Sequence, residues 1–352
     1  MFKALKQMFS PKKKRPASAP KLVFKNRPKL SIESFKFIKT LGTGGFGRVF
    51  LAVPNEGLHI PSPCAIKRLK KHPLIVQKQI DHVLSEKRLL GSVNHPFIVN
   101  MIGTFKDDYY LFIVMQYVRG GDFFSFLRKT DRLKSEDAMF YAAQVTLMFE
   151  YLHSNRIIYR DLKPENLLLD SSGYLLLTDF GFAKVVEFRT YTLCGTPEYI
   201  APEILLNKGH GKAVDWWTMG ILIYEMLVGY PPFYDEDPIS IYKKILECRL
   251  SFPVFYNSNA KELTQNLLAF DPSKRFGNLH KGVDDVKGSA WFHGVDFDKL
   301  LHRGIKPPHV PVSCLHHIIR LQKYDDDSSA NYPESVEKPK AVVGNADPFV
   351  NW

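Results

Sequence analysis

The sequence predicts an α+β fold of two lobes, in which a small β-rich lobe with one main helix precedes a larger, mostly helical lobe. Residues 35–115 contain short apolar and β-branched runs, such as residues 36–41, around one helical pattern over residues 76–90. In residues 121–292 apolar side chains recur mainly at helical spacing, and Ser135 followed by acidic residues marks a helix start. We expect an active site in the cleft between the lobes.

Most of the excess positive charge lies in an N-terminal segment. The formal net charge is +12, and residues 1–29 hold ten Lys or Arg and no acidic residue, which leaves 38 basic and 36 acidic residues elsewhere. The nearly neutral remainder argues against a nucleic acid partner. We therefore divide the chain into a basic arm at 1–34, a two-lobed domain at 35–292 and a polar C-terminal tail at 293–352.

The sequence gives no sign of secretion or membrane insertion. No stretch reaches the roughly 18 to 20 consecutive apolar residues that a spanning helix needs, and the N-terminus lacks a secretory core. The cysteines are scattered without metal-binding spacing: Cys64, Cys194, Cys248 and Cys314. We therefore expect a cytoplasmic protein without structural disulfides or zinc.

A glycine-rich turn follows the first predicted strand. Residues 42–49 read Gly-Thr-Gly-Gly-Phe-Gly-Arg-Val, so backbone without side chains can approach phosphate groups while Val49 covers one face of a purine. Similar turns occur in dinucleotide-binding folds and in ordinary hairpins, so this pattern alone leaves the function open.

Four later segments favour phosphoryl transfer, which requires a protein to hold phosphates, to neutralise their charge and to aim a hydroxyl group. Lys67 lies on a predicted strand where it can pair with phosphates, and Glu86 on the predicted helix can hold its ammonium group. Residues 159–166 read Tyr-Arg-Asp-Leu-Lys-Pro-Glu-Asn, and residues 179–181 read Asp-Phe-Gly. These segments supply a carboxylate that can accept a proton and oxygen atoms that suit Mg²⁺.

These motifs resemble those of AGC-group serine/threonine protein kinases, and most closely those of the cyclic-AMP-dependent catalytic subunits. The match runs over residues 35–292 and more loosely through the tail, and its most specific stretches are residues 159–166, 178–184, 193–199, 201–203 and 214–217. The resemblance implies the bilobal protein-kinase fold. It also implies transfer of the γ-phosphoryl group of ATP, with Mg²⁺, to a serine or threonine hydroxyl.

The resemblance assigns roles to individual residues. Its catalytic positions are Lys67, Asp161, Lys163, Asn166, Asp179 and Thr196, of which Asn166 and Asp179 are the metal ligands. Its nucleotide contacts are Leu41, Gly42, Thr43, Gly44, Gly45, Phe46, Gly47, Arg48, Val49, Ala65, Lys67, Glu86, Met115, Gln116, Val118, Asp122, Leu168 and Asp179. Gln116 replaces the usual Glu, which should be tolerated because backbone groups read adenine there.

The implied substrate is a peptide with arginines before the target hydroxyl. The acids that read the arginines two and three residues before it are Asp122, Glu165 and Glu225. The residue after the target would enter an apolar pocket of Leu193, Pro197 and Ile200. Asp122 is one methylene shorter than the family's usual Glu, which leaves the strictness of the third-residue preference open.

The implied regulation involves a phosphate and a second chain. Thr192 is the implied activating phosphosite, surrounded in the family by the positions of His82, Arg160 and Lys184. No regulatory module accompanies the domain, so we expect a separate inhibitory subunit that binds cyclic AMP, at positions that include Tyr191 and Tyr242. We expect the tail aromatics Phe349 and Trp352 to dock on the small lobe. Residues 324–327 depart from the family pattern, and Ser335 is a candidate tail phosphosite.

The role of the basic arm stays open. Its amphipathic start and basic cluster suit weak contact with an anionic membrane surface or a nuclear address, but also a flexible tail or a helix packed on the large lobe. Phe2 excludes N-myristoylation. Arg15 lies three residues before Ser18, which makes Ser18 a candidate autophosphorylation site.

Other functional classes fit the sequence less well. A catalytically inactive kinase-fold scaffold would normally lack one of Lys67, Asp161, Asn166 or Asp179, and none is missing. A dinucleotide-dependent oxidoreductase needs repeated βαβ units, which are absent from the pattern. Another basophilic AGC kinase remains the main alternative.

Overall fold

A five-stranded antiparallel sheet forms the small lobe. The computed structural model describes residues 29–311, 340–344 and 347–352. The sheet has the order β1-β2-β3-β5-β4, with strands β1 (Phe35–Gly44), β2 (Gly47–Pro54), β3 (Cys64–Lys70), β4 (Met101–Lys106) and β5 (Tyr110–Gln116). Apolar residues of all five strands form a cluster on it, and Leu30 and Ile32 pack against that cluster.

Two helices connect β3 to β4, namely α1 (Lys71–Val76) and α2 (Ile80–Ser92). The predicted single helix over residues 76–90 is therefore wrong at its start. Lys78 has a left-handed φ of 55°, which interrupts the helical backbone after Val76. α2 buries Val83, Glu86, Leu89 and Leu90, so the predicted position of Glu86 on this helix is confirmed.

The large lobe is mostly helical. Its helices are α3 (Phe123–Thr130), α4 (Ser135–Ser154), α5 (Pro202–Leu205), α6 (Ala213–Val228), α7 (Pro238–Glu247), α8 (Ser258–Leu267), α9 (Val283–Lys287) and α10 (Phe297–Leu301). Ser135 begins α4, as predicted. Every residue of α6 is buried, because α4 and α8 pack against it and it forms the centre of the lobe.

Short elements at the upper edge of the large lobe carry the loops that face the cleft. Strands β6 (Ile157–Ile158) and β9 (Lys184–Val185) pair with each other, as do β7 (Leu167–Leu169) and β8 (Leu175–Leu177). Single 3₁₀ turns lie at Ile32–Ser34, Pro164–Asn166, Pro197–Tyr199, Pro272–Lys274 and Ala290–Phe292.

The end of the chain returns to the small lobe. Phe349 is fully buried with Leu69, Leu74, Val83 and Leu111, and Trp352 packs beside it. The predicted docking of the tail aromatics on this lobe is thus confirmed. Predictions about the arm before residue 29, including Ser18, and about Cys314, residues 324–327 and Ser335 lie outside the described residues. Within the described ranges, no helix is both long and apolar enough to cross a membrane.

Candidate active site

The upper wall of the cleft is one face of the small-lobe sheet. Val49 lies opposite Lys67 across β2 and β3, and Ala65 lies opposite Met115 across β3 and β5. Opposed residues of antiparallel strands point to the same side, and Ala65 and Lys67 are two residues apart, so these four side chains share one face. The structure therefore brings the predicted nucleotide contacts Val49, Ala65 and Met115 next to the predicted phosphate-pairing Lys67.

The glycine-rich loop leaves its backbone accessible. A Cβ atom on Gly42, Gly44 or Gly45 would meet no other atom within 4 Å. At Gly47 a Cβ would lie 1.8 Å from the Arg68 carbonyl oxygen, so only glycine lets β2 run this close to β3. The other predicted contacts in the loop are exposed or half-buried: Leu41, Thr43, Phe46 and Arg48.

The lower wall comes from the segment that joins the lobes and from β7. Asp122 forms an isolated β-bridge with Leu168, and backbone hydrogen bonds of 2.8 Å join the two glycines before Asp122 to the same strand. Val118 is buried in this segment. Gln116 Oε1 accepts a hydrogen bond from Asn100 Nδ2 at 3.0 Å, so its side chain is engaged with the protein.

A buried ion pair fixes Lys67 in the cleft. Its Nζ donates to Glu86 Oε1 on α2 at 2.6 Å and to Asp179 Oδ1 at 3.3 Å. The side chain of Glu86 is 6% exposed and that of Asp179 is 50% exposed, so Asp179 is the more accessible acid. Asp179 Oδ1 also accepts from Gly181 N at 3.1 Å, while Oδ2 has no hydrogen-bond partner among the residues that the structure describes.

Burial and charge act against each other on these groups. Burial lowers the pKa of Lys67, but Glu86 and then Asp179 outweigh this effect and raise the pKa above its usual value. Burial raises the pKa of Glu86 against the opposing charge of Lys67. Burial also acts to raise the pKa of Asp179, yet Lys67 and the Gly181 N–H hold it below its usual value. Lys67 and Asp179 are therefore charged at neutral pH.

A second polar group lies on the loop after β6. Asn166 Nδ2 donates to the Asp161 carboxylate and to its backbone oxygen, at 2.8 Å each. Lys163 Nζ donates to Thr196 Oγ1 at 2.8 Å and lies 3.4 Å from Asp161 Oδ2. Burial raises the pKa of Asp161, while Lys163 and Asn166 oppose the shift. The arrangement presents a carboxylate with increased proton affinity beside an ammonium group.

Asp215 and His153, which have no sequence-predicted role, support this loop. The fully buried carboxylate of Asp215 accepts hydrogen bonds from Tyr159 N at 3.0 Å and Arg160 N at 2.8 Å, and His153 Nε2 lies 2.7 Å from it. Arg160 has a left-handed φ of 68°, a conformation that these bonds hold in place. Asp215 lies in residues 214–217, one of the stretches that resemble the kinase family, and this resemblance was the only sequence feature that pointed to it.

The predicted phosphosite Thr192 is exposed on the loop between β9 and α5. Two of the basic residues expected around it, Lys184 and Arg160, form no hydrogen bond to it in the described part of the chain. Lys184 Nζ donates to Thr190 Oγ1 at 3.0 Å, and Arg160 Nη1 is buried without a hydrogen-bond partner among the described residues. His82 hydrogen-bonds to the residue that precedes α2. None of the three has a hydrogen bond to Thr192 in the described part of the chain.

The predicted substrate residues lie in different environments. Glu225 is buried and accepts hydrogen bonds from Arg128 Nη2, at 2.8 Å, and from the Tyr199 hydroxyl. Burial raises the pKa of Glu225, and both of these donors oppose the shift. Glu165 is exposed, and Asp122 is half-buried just before the start of α3. Of the predicted apolar pocket, Leu193 is exposed, Pro197 half-buried and Ile200 buried.

These groups fit a nucleotide with a divalent cation. The open backbone of the glycine-rich loop and the Lys67 ammonium can accommodate phosphate oxygens. Asp179 Oδ2 and Asn166 Oδ1 accept no hydrogen bond from the residues described here, and hard oxygen atoms of this kind suit Mg²⁺. The two ligands are held near each other because Thr178 N, next to Asp179, donates to Asn166 O at 3.0 Å.

Comparison with known proteins supports the same conclusion. A protein kinase domain model matches residues 35–292. The chain is 47% identical to the cAMP-dependent protein kinase type 3 of Saccharomyces cerevisiae, over 92% of this chain and 78% of the relative. It is 46% identical to the cAMP-dependent protein kinase catalytic subunit PRKX of Mus musculus, over 90% and 86%. A third relative is the cAMP-dependent protein kinase catalytic subunit of Dictyostelium discoideum, which is 46% identical over 86% of this chain. The match covers 47% of that longer protein.

The matched domain and these identities confirm the predicted bilobal α+β fold and the prediction of a serine/threonine protein kinase. Protein kinases in general use ATP and Mg²⁺. The chain belongs to the protein kinase family.

Proposed function

We propose that this kinase transfers the γ-phosphoryl group of MgATP to serine or threonine in sequences with preceding arginines, under the control of a cyclic-AMP-binding subunit. The observation that carries the proposal is the meeting of two charged groups in the cleft. Lys67, Glu86 and Asp179 form one, Asp161 and Asn166 belong to the other, and the Thr178–Asn166 hydrogen bond joins them.

Each group has a distinct task in the proposed reaction. Bound Mg²⁺ would neutralise phosphate charge, with Asn166 and Asp179 as its protein ligands. Lys67, held by Glu86, pairs with phosphate oxygens, and the glycine-rich loop covers them. Asp161 orients the substrate hydroxyl and accepts its proton.

Lys163 and Thr196 complete the proposed machinery. Lys163 supplies positive charge where the phosphoryl group moves, and Thr196 keeps the lysine next to Asp161 through the 2.8 Å hydrogen bond. Because Asp161 is buried and its pKa is raised, it can accept a proton more readily than an ordinary exposed aspartate.

Acidic side chains support the proposed preference for arginine. Glu165 is exposed and acts to raise the pKa of the buried Glu225, so it lies near the Glu225–Arg128 pair, and its carboxylate suits a guanidinium group. The hydrophobic residue after the target would contact Leu193, Pro197 and Ile200, of which Leu193 is exposed.

Thr192 is the proposed activating phosphosite. Its phosphate would add about −1.5 to −2 charge to an exposed loop in which Thr190 already accepts a hydrogen bond from Lys184. Arg160 Nη1, which has no hydrogen-bond partner among the described residues, is a further candidate donor. New charge-assisted hydrogen bonds there would order the loop that carries Thr196.

The proposed regulatory partner follows from the names of the relatives, which are cAMP-dependent kinases and their catalytic subunits. Tyr191 is exposed, as contact with a second chain requires, and Tyr242 is half-buried. We also propose the division of the chain into a basic arm at 1–34, a kinase domain at 35–292 and a tail at 293–352. We further propose a cytoplasmic location and weak contact of the arm with a membrane surface.

The proposal is tested with purified protein, MgATP and the peptide Arg-Arg-Ala-Ser-Ile. We expect phosphate on the serine, inhibition by an added regulatory subunit and recovery with cyclic AMP, and no transfer by Asp161→Asn. Equal rates with Ala-Ala-Ala-Ser-Ile would refute the arginine preference, and inhibition that cyclic AMP does not reverse would refute the regulatory assignment.

A further inference from the structure

The three acids assigned to substrate arginines are not equally available. Glu165 is exposed and forms no hydrogen bond or ion pair with any residue in the described ranges. Glu225 is 4% exposed, and the donors Arg128 and Tyr199 fix its carboxylate. The charge of Glu165 also acts to raise the pKa of Glu225, so the two acids lie near each other, with Arg128 as the basic partner of Glu225.

Asp122 instead uses both carboxylate oxygens within its own helix. Oδ1 accepts a hydrogen bond from Ser125 N at 2.7 Å, and Oδ2 accepts from Ser125 Oγ at 2.9 Å. This is an N-cap of α3, and it satisfies an amide that the helix leaves without a partner. The β-bridge to Leu168 fixes the backbone of Asp122, so a shift of the backbone cannot carry the carboxylate toward a bound peptide.

A guanidinium fork needs two carboxylate oxygens in one plane facing it. Asp122 can turn both oxygens toward a guanidinium group only by releasing Ser125, so an ion pair there would have to offset the loss of the helix cap. At the subsite of Glu165 and Glu225 the carboxylate of Glu225 is already desolvated and oriented, so the loss of a partner there is costly.

We propose that Asp122 serves as a helix cap, so that this kinase selects arginine at the second position before the target and is permissive at the third. This inference rests on the proposed function, because it assumes that arginine-containing peptides are substrates. It assigns the preference for the second-position arginine to Glu165, whose carboxylate has no partner among the described residues and lies beside the ion-paired Glu225.

The test compares kcat/KM for three peptides: Arg-Arg-Ala-Ser-Ile, Ala-Arg-Ala-Ser-Ile and Arg-Ala-Ala-Ser-Ile. Loss of the third-position arginine should lower kcat/KM less than about fivefold, whereas loss of the second-position arginine should lower it about 100-fold or more. Asp122→Glu lengthens the side chain, and Ser125→Ala removes one of its two donors. Both variants should increase the discrimination at the third position.

The readout is a ratio between peptides within one variant, so changes in folding or in general activity cancel. Asp237 is a matched control, because it caps α7 and accepts from both Ser240 N and Ser240 Oγ at 3.0 Å. Ser240→Ala should leave the ratio unchanged. A wild-type loss of about 100-fold at the third position would overturn the inference, as would unchanged ratios in both Asp122→Glu and Ser125→Ala. Indifference to both arginines would instead refute the proposed function.

Discussion

Glu86 Oε1 lies 2.6 Å from Lys67 Nζ, and this contact links helix α2 to the strand that forms the upper wall of the cleft. The pair is buried on the Glu86 side, and Lys67 also contacts Asp179 from the large lobe. One ammonium group therefore connects three elements, so the position of α2 determines where the lysine can meet a phosphate.

We expect Glu86→Gln to lower kcat/KM for ATP about 100-fold, because the ammonium loses its charged partner and is drawn toward Asp179. The measurement is the initial rate of peptide phosphorylation at low ATP. The matched control is Glu247→Gln, which removes the acid from an exposed pair with Arg249 at 4.0 Å. It should change kcat/KM less than about twofold. Equal losses in the two variants would contradict the positioning role of Glu86.

The raised pKa of Asp161 predicts the acid limb of the pH–rate profile. Asp161 must be ionised to accept a proton, so kcat/KM should fall as the pH drops through a pKa above the ordinary value of 3.8. After burial, Lys163 is the largest influence on this pKa and acts to lower it. Lys163→Ala should therefore move the midpoint of the acid limb to higher pH, whatever its effect on the maximal rate. A midpoint that stays in place would show that another group sets the limb.

The same shift has a consequence for stability. The folded state holds the Asp161 proton more tightly than the unfolded state, so the free energy of unfolding decreases as the pH rises from 3.8 to the folded pKa. Above that window the effect is constant. Ionised Asp161 thus destabilises the fold at neutral pH, a cost that the catalytic position imposes.

The buried fork between Arg275 and Glu203 predicts a large effect on stability. Arg275 is fully buried, and its Nη1 and Nη2 donate to the two Glu203 oxygens at 2.6 and 3.0 Å. Arg275→Lys leaves one ammonium that cannot span both oxygens, so it should lower the free energy of unfolding by about 3 kcal/mol. Arg156→Lys, at an exposed pair with Glu187, should cost less than about 0.5 kcal/mol. Chemical denaturation of both variants checks the difference, and similar midpoints would exclude a special contribution of the fork.

The sequence allowed prediction of those parts of the site that depend on local pattern. Val49 follows the glycine-rich turn and Lys67 lies on a predicted strand. In the structure their strands are adjacent and antiparallel, so the two side chains share one wall of the cleft. The hydrogen bonds that the backbone N–H groups of residues 159 and 160 donate to Asp215 span 56 and 55 positions, and no local pattern encodes such a contact. The helix break at Lys78 was missed because apolar periodicity continues on both sides of it. The cap at Asp122 was missed because a resemblance transfers a role but not the geometry of a shorter side chain.

Asp347 provides the last prediction, because it anchors the end of the chain through two lysines. Its Oδ2 accepts from Lys71 Nζ at 3.0 Å and from Lys106 Nζ at 2.8 Å. Burial acts to raise the pKa of Asp347, but Lys106, the Phe349 N–H and Lys71 outweigh it and hold the pKa below 3.8. The carboxylate therefore stabilises the fold at any pH above 3.8, and this contribution is lost only as the pH falls through the lower, folded pKa.

Asp347→Asn should weaken the docking of the tail by about 3 kcal/mol, because the fully buried ammonium of Lys71 would keep only an amide and the Val342 carbonyl at 3.5 Å. Lower melting temperature and faster proteolysis of the tail are the measurements, and the difference from wild type should be constant from pH 8 to about pH 5. Asp235→Asn, at a partly exposed pair with Lys244, is the control and should change neither. Because Lys87 beside Glu86 donates to Asn351 O at 3.3 Å, release of the tail should also reduce kinase activity. A variant that keeps wild-type melting and proteolysis would show that the aromatic contacts of Phe349 alone hold the tail in place.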